Sequence, residues 1–287
     1  MPRRRIADAP LSRLAVWARR CAFFSLAATI ISIVLVRSGF LEIVPALATF
    51  AGALVFAGFS IMLALGAFAV IWRHGADGLG HTVMALGISL GLLAYPAYLG
   101  IKAYRLPMIA DIPTDPIDPP RFDVASRLRP RGSVDYAGLY AAEQQRIAYP
   151  EVEPLELTAN AQAAYDAALQ IVTKRKWRIV AERPPQAGRR DGQLEAVART
   201  PIMGFREDVS IRIRATRDGS QIDVRSASRY GRHDLGSNAS RIKSLLDDID
   251  DIVTAKQEKD ERAEKRKAQQ QKQTPAKGTQ PGKRPTT

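Results

Sequence analysis

Residues 208–230 read DVSIRIRATRDGSQIDVRSASRY. On both sides of Asp218-Gly219, apolar residues alternate with polar ones, the period that turns one face of a strand to a core and the other to water. Asp-Gly between two such runs favours a two-residue type I′ hairpin turn, whose twist matches that of the strands it joins. Counting outward from that turn sets Ala215 opposite Ile222, Ile213 opposite Val224, Ile211 opposite Ser226 and Val209 opposite Ser228. The polar side then carries Arg214 opposite Asp223, Arg212 opposite Arg225 and Asp208 opposite Arg229. Opposite charges across strands contribute roughly 0.2–1 kcal/mol, whereas paired arginines repel. Something acidic is therefore expected between Arg212 and Arg225: Glu195 from the preceding run, an anionic ligand, or a partner's carboxylate.

Two earlier runs, 177–182 and 193–199, also read as strands. Before them, residues 136–147 predict a short helix. Residues 160–174 predict a cleaner one, capped by Thr158 or Asn160, with Ala164, Ala167, Ala168, Ile171 and Val172 on one face. After the hairpin, residues 238–255 place Ile242, Leu245, Leu246, Ile249, Ile252 and Val253 on one stripe, with Ser237 as the expected N-cap. The order predicts an α+β domain over 136–255: a four-stranded antiparallel sheet, two helices packed on one face, and the other face open to solvent or a partner.

Upstream the chain changes character. Residues 21–36 read CAFFSLAATIISIVLV, without a charge, and two further apolar stretches follow. Spans at about 21–39, 48–72 and 79–101 reach the roughly 20 residues that cross a ~30 Å hydrocarbon layer, so 21–104 is expected to be a three-helix transmembrane anchor. No Asp, Glu, Lys or Arg lies inside the three apolar stretches, which argues against an ion or proton pathway. Gly87-Ile88-Ser89-Leu90-Gly91 has the small-residue spacing that lets helices approach closely, and is read as packing within the bundle. Arg3, Arg4, Arg5, Arg13, Arg19 and Arg20 precede the first span. By the positive-inside rule residues 1–20 stay cytoplasmic, and three crossings put the domain outside, in the periplasm of a Gram-negative cell, with the anchor in the inner (cytoplasmic) membrane.

Residues 105–135 are dense in Pro and Asp and predict an extended, semi-rigid spacer lifting the domain off the lipid. Residues 256–287 lose apolar periodicity and predict a disordered basic tail. The net charge of +13 gathers in this tail and at the N-terminus, a distribution that a membrane flank and a solvated tail explain without nucleic acid. One cysteine, Cys21, cannot form an internal disulfide.

The segment 200–208 (TPIMGFRED), then VRSASRYG at 224–231 and DLGSN at 234–238 with Arg241, resembles the bacterial domain of unknown function 1499 family. The likeness covers about 155–252 and rests on the ordered run Arg-Ser-x-Ser-Arg-x-Gly, Asp-x-Gly-x-Asn and Arg. With the Asp-Ile-Pro-Thr-Asp-Pro stretch and the three spans, it looks like the membrane-anchored alphaproteobacterial branch. The resemblance implies a domain and carries no activity.

The ligand or partner-binding candidates are Arg212, Arg225, Ser226, Ser228, Arg229, His233, Asp234, Asn238 and Arg241. Backbone N–H groups at a helix start, with Arg229 and Arg241 beside them, are suited to an anion. His233-Asp234 suggests an acid/base pair, but no Gly-x-Ser-x-Gly, His-Glu-x-x-His or Walker motif accompanies it. No catalytic residue, metal ligand or cofactor is expected. The reading is a membrane-anchored envelope protein whose domain is a non-catalytic binding module. Its expected partners are the lipid bilayer and an envelope protein or anionic polymer. The alternative is an anion or small-ligand sensor, or a hydrolase, using the Arg225–Arg241 segment.

Overall fold

The computed structural model describes residues 9–39, 43–129, 136, 138–186 and 191–273. Three long helices come first: α1 (Arg13–Ser38), α2 (Ile43–His74) and α3 (Leu79–Arg105). All three are long and apolar enough to cross a membrane. Their packing is that of membrane helices, with small residues inside and large ones outside. Ala18, Ala22, Ala64 and Ala85 meet at the centre, while Phe23, Phe24, Ile31, Phe56, Phe59 and Met62 point outward. Ser25 donates to the Ala53 carbonyl at 2.7 Å and Ser60 to that of Ala18 at 2.9 Å, tying α1 to α2 where no water competes. Gly87 and Gly91 do not take part. A Cβ at either would meet nothing within 4 Å, so the glycine pair lies on the outer surface of α3 rather than at a helix contact.

The domain follows as β1 (Asp111–Pro113), a 3₁₀ turn (Ala125–Leu128), α4 (Gly138–Ala148), β2 (Leu155–Leu157), α5 (Ala161–Lys174), β3 (Arg178–Arg183), β4 (Gly192–Arg199), β5 (Arg206–Ala215), β6 (Ser220–Ser228) and α6 (Ser237–Gln273). The antiparallel sheet has six strands, in the order β1-β6-β5-β4-β3, with β2 pairing farther along the β6 edge. The four expected strands are β3 to β6. The extra two are three residues long, too short to display an alternation. α5 and α6 pack on one face as expected, over Leu194, Val209, Ile211, Ile213, Ile222 and Val224. Asn160 caps α5, its side chain accepting from the N–H of Ala163 at 2.9 Å.

The hairpin register is shifted by two residues. Ala215 pairs with Ser220, Ile213 with Ile222, Arg212 with Asp223 and Ser210 with Arg225. A type I′ turn needs φ > 0 at both central residues, and Asp218 is not among the positive-φ residues. Instead the loop spans 216–219, closed by the Thr216 N–H on the Gly219 carbonyl at 3.0 Å. β2 runs so close to Gly219 that a Cβ there would collide with the Leu157 carbonyl. An even shift preserves which face each side chain takes, but it removes the expected arginine pair.

The second sheet face is not open, and 105–135 is not a spacer where it is described. Residues 109–129 form a strap that extends the sheet as β1 and then crosses that face: Ile109 and Ile112 join the helix-side core, Asp111 turns to Arg225, and Ala125 is buried over Glu195. The stretch 130–135 lies outside the described residues. The tail also differs from expectation up to Gln273, because α6 continues that far. Arg262 with Glu258 at 3.2 Å and Lys265 with Glu261 at 3.7 Å supply i,i+4 pairs with the acid leading, which favour helix without apolar burial. Residues 274–287 lie outside the described residues, as do 1–8.

Candidate functional site

On the strap side the sheet presents Gln193, Glu195, Asp208, Ser210, Arg212, Asp223, Arg225 and Arg229, and the strap answers nearly all of them. Glu195 is 1% exposed. Its carboxylate accepts the N–H groups of Asp123 and Ala125 at 2.8 Å each, and that of Val124 at 3.1 Å, and so caps the 3₁₀ turn. It does not lie between Arg212 and Arg225 as expected. Gln193 and Ser210 both donate to the Arg121 carbonyl, at 2.9 and 2.8 Å. Arg225 makes a two-pronged bond to Asp111, Nε to Oδ1 at 2.9 Å and Nη2 to Oδ2 at 2.7 Å. Phe122 lies between the guanidiniums of Arg225 and Arg129, each 4.7 Å from its ring centre.

Arg229 bonds Asp208 through Nε and Nη2 at 2.9 and 2.7 Å, and Arg129 bonds the other oxygen at 2.8 Å. Arg212 pairs with Asp223 at 3.2 Å and with Asp118 at 2.8 Å, while Arg214 reaches Asp223 at 2.9 Å. Asp223 is fully buried and its Oδ1 has no partner; burial raises its pKa from the ordinary carboxylate range against the pull of both arginines.

The remaining candidates meet on the helix side. Asn238 is fully buried and uses both ends of its amide: Oδ1 accepts from Ser226 and Arg241 at 2.8 Å each, and Nδ2 donates to Ala110 O at 3.0 Å and Ser228 Oγ at 3.1 Å. Ser228 and Ser237 both donate to Glu207 at 3.0 Å, and Arg241 binds the other Glu207 oxygen. The result is a closed ring of hydrogen bonds joining β5, β6, α6 and the strap.

Asp234 begins α6. It accepts from Gly236 N–H at 3.1 Å and Asn238 N–H at 2.9 Å, a capping role expected of Ser237. Burial raises its pKa, opposed by these two backbone bonds. His233 turns away: its Nδ1 accepts from Leu235 N–H at 3.0 Å, which leaves Nε2 as the donor to Ala103 O at 3.2 Å, at the end of α3. The two are therefore no acid/base pair.

The nine candidates thus fall into four groups. Ser226, Ser228, Asn238 and Arg241 share the ring, next to Asp234. Arg225 and Arg229 bind carboxylates on the opposite face, Arg212 joins a third cluster, and His233 touches the anchor. Sequence reasoning missed Asp111 and Glu207 as partners; it set Asp208 opposite Arg229, and that ion pair forms although the register shift moves Asp208 opposite Ala227. For Asp111 the distance along the chain hid the contact, but Glu207 and Asp208 sit on adjacent positions of one strand, and that alternation already sends one carboxylate to each face.

Fold and site together define an α+β domain behind three helices long and apolar enough to cross a membrane, its clustered polar groups engaged with one another. Residues 111–249 match the family model described as Protein of unknown function (DUF1499), and over that extent the domain resembles this family. The match starts at the first residue of β1, so it takes in the strap. No curated protein matches the chain, and no solved structure does.

Proposed function

We propose that the chain is a membrane-anchored, non-catalytic binding module of the cell envelope, its domain on the extracytoplasmic side of the inner membrane. The observation that carries this reading is the internal engagement of all nine candidate residues. A hydrolase or an anion sensor built on Arg225–Arg241 needs those side chains to converge on one cavity with bonding capacity to spare. Here they are split between two faces and bound to Asp111, Asp208, Glu207 and the Ala103 carbonyl.

Partner contact falls instead to the free end of α6. Among the described residues Val253 is its last buried apolar one, and Gln257 still reaches Thr158 at 2.9 Å. From there to Gln273 the helix extends about 24 Å at 1.5 Å per residue. It carries Lys259, Arg262, Lys265 and Arg266 interleaved with acids, a surface suited to an envelope protein or an anionic polymer. The topology is supported by the bundle itself: the N-terminal end of α1 pairs with the α2–α3 turn through Leu11 and Asp77, while the domain lies at the C-terminal ends of α1 and α3.

A photocrosslinking residue at Lys259 or Arg262, in intact cells, tests the reading. A discrete adduct is expected that is absent when the probe sits at Arg217 on the hairpin loop. Adducts distributed alike over all three positions, or none, contradict it. For orientation, a C-terminal alkaline phosphatase fusion is expected to be active, and a silent one contradicts the placement.

A further inference from the structure

The β4–β5 turn at Pro201-Ile202-Met203 lies against the C-terminal end of α1. Arg37 donates through Nη1 to the carbonyls of Pro201 and Ile202 at 2.5 and 2.9 Å, and Arg199 donates to the Arg37 carbonyl at 3.2 Å. The apolar run of α1 ends at Val36, so this turn sits where hydrocarbon gives way to headgroups. Its tip is itself apolar, with Ile202 39% exposed.

Beside the turn is a cavity of about 130 Å³ lined by Leu128, Arg178, Val197, Arg199, Arg206 and Arg229. Four of the six are arginines and none is a carboxylate. Arg229 is committed to Asp208, which Arg129 also binds. Arg178 and Arg206 are exposed and make no side-chain hydrogen bond or ion pair among the described residues. Arg199 and Arg206 are direct register partners, two like charges on one face of the sheet. Such a pair is destabilising by itself. The sequence sets it at a membrane edge, against a cavity with room for several waters or one phosphate group.

We infer that this cavity holds the phosphate of an anionic phospholipid headgroup, with Arg178, Arg199 and Arg206 as its ligands and the apolar turn seated among the acyl chains beneath it. Guanidinium groups are weakly hydrated and bond phosphate oxygens in pairs, so they suit a phosphodiester at a partly dry interface. A headgroup there neutralises the Arg199–Arg206 pair and fixes the domain's height over the bilayer. The inference goes beyond the binding-module reading and does not depend on it, since it concerns the lipid below the domain and not the partner of α6.

The test uses the full chain in a neutral detergent, with native mass spectrometry of bound phosphatidylglycerol against phosphatidylcholine. Phosphatidylglycerol is expected to be retained preferentially. The double variant Arg178→Gln/Arg206→Gln, which breaks no hydrogen bond, is expected to lose about 25-fold in that retention, from roughly fivefold per arginine at an anionic surface. Arg146→Gln on α4 is expected to change nothing, and a circular dichroism melt of each variant checks the fold. Equal retention of the two lipids, or no loss in the double variant, overturns the inference. So does full competition by inorganic phosphate at matched concentration, which would mark a site for soluble anions instead.

Discussion

Asn238 shows what a single side chain does in this domain. Its four hydrogen bonds join the strap, β6 and α6 at one buried point. Replacing it by Leu removes all four bonds, and an intramolecular hydrogen bond typically contributes about 0.5–1.5 kcal/mol net. Asn238→Leu is therefore expected to lower unfolding stability by about 3 kcal/mol or more in a denaturant titration; a change under about 0.5 kcal/mol would contradict the ring. Asp234 and Asp223 give a pH dependence. Both have folded-state pKa values raised by burial, so the folded protein holds their protons more tightly than the unfolded chain does. Their contribution is full below the ordinary carboxylate pKa and is lost as pH rises through the raised values. As pH rises above about 4 the denaturation midpoint of Asp234→Asn is expected to fall less steeply than that of the native protein. Parallel slopes would show that Asp234 is not the group responsible. In the sequence the polar residues here were legible as a cluster, but their satisfaction was not: nothing local to Arg225 announces Asp111, more than a hundred positions away.

Among the elements, legibility followed local periodicity. β3 to β6, α5 and the start of α6 were readable because alternation or a helical stripe repeats over several residues. β1 and β2 were not, since three-residue strands hold by pairing with β6 and carry no pattern of their own. The strap looked like a linker because its order comes from contacts with distant residues: Glu195, Asn238 and Arg225 bind its backbone or its acids, and Pro and Asp have no periodicity that records this. The hairpin register was misread for a similar reason, β2 packing on Gly219 in place of a free two-residue turn. Gly219→Ala must push the Leu157 carbonyl aside. It is expected to detach β2 and lower the melting temperature by several degrees, at about 2–4 °C per kcal/mol for a domain of this size. An unchanged melt would mean β2 is dispensable. Residues 258–266 of α6 are all exposed, so truncation after Gln257 is expected to leave the melting temperature unchanged while removing the crosslinked adduct.

For the whole molecule, the anchor and the domain are organised by opposite rules, small residues inside the bundle and large apolar ones inside the sheet and helix core. They meet where Arg37 and His233 bridge the helix ends to the turn and to the start of α6. The part of the arginine face around Arg212 and Arg225 is a finished interior, closed by the strap, and not a site waiting for an anion. Arg225 decides this most directly. Its guanidinium is bound to Asp111 at two points, and breaking a buried pair by removing one partner typically costs 3–5 kcal/mol. The unfolding free energy of Arg225→Gln, measured on the full chain by denaturant titration, is expected to fall by about 3 kcal/mol or more. A variant as stable as the native protein, or more stable, would mean that Arg225 serves an external ligand at the expense of the fold, and would contradict the account.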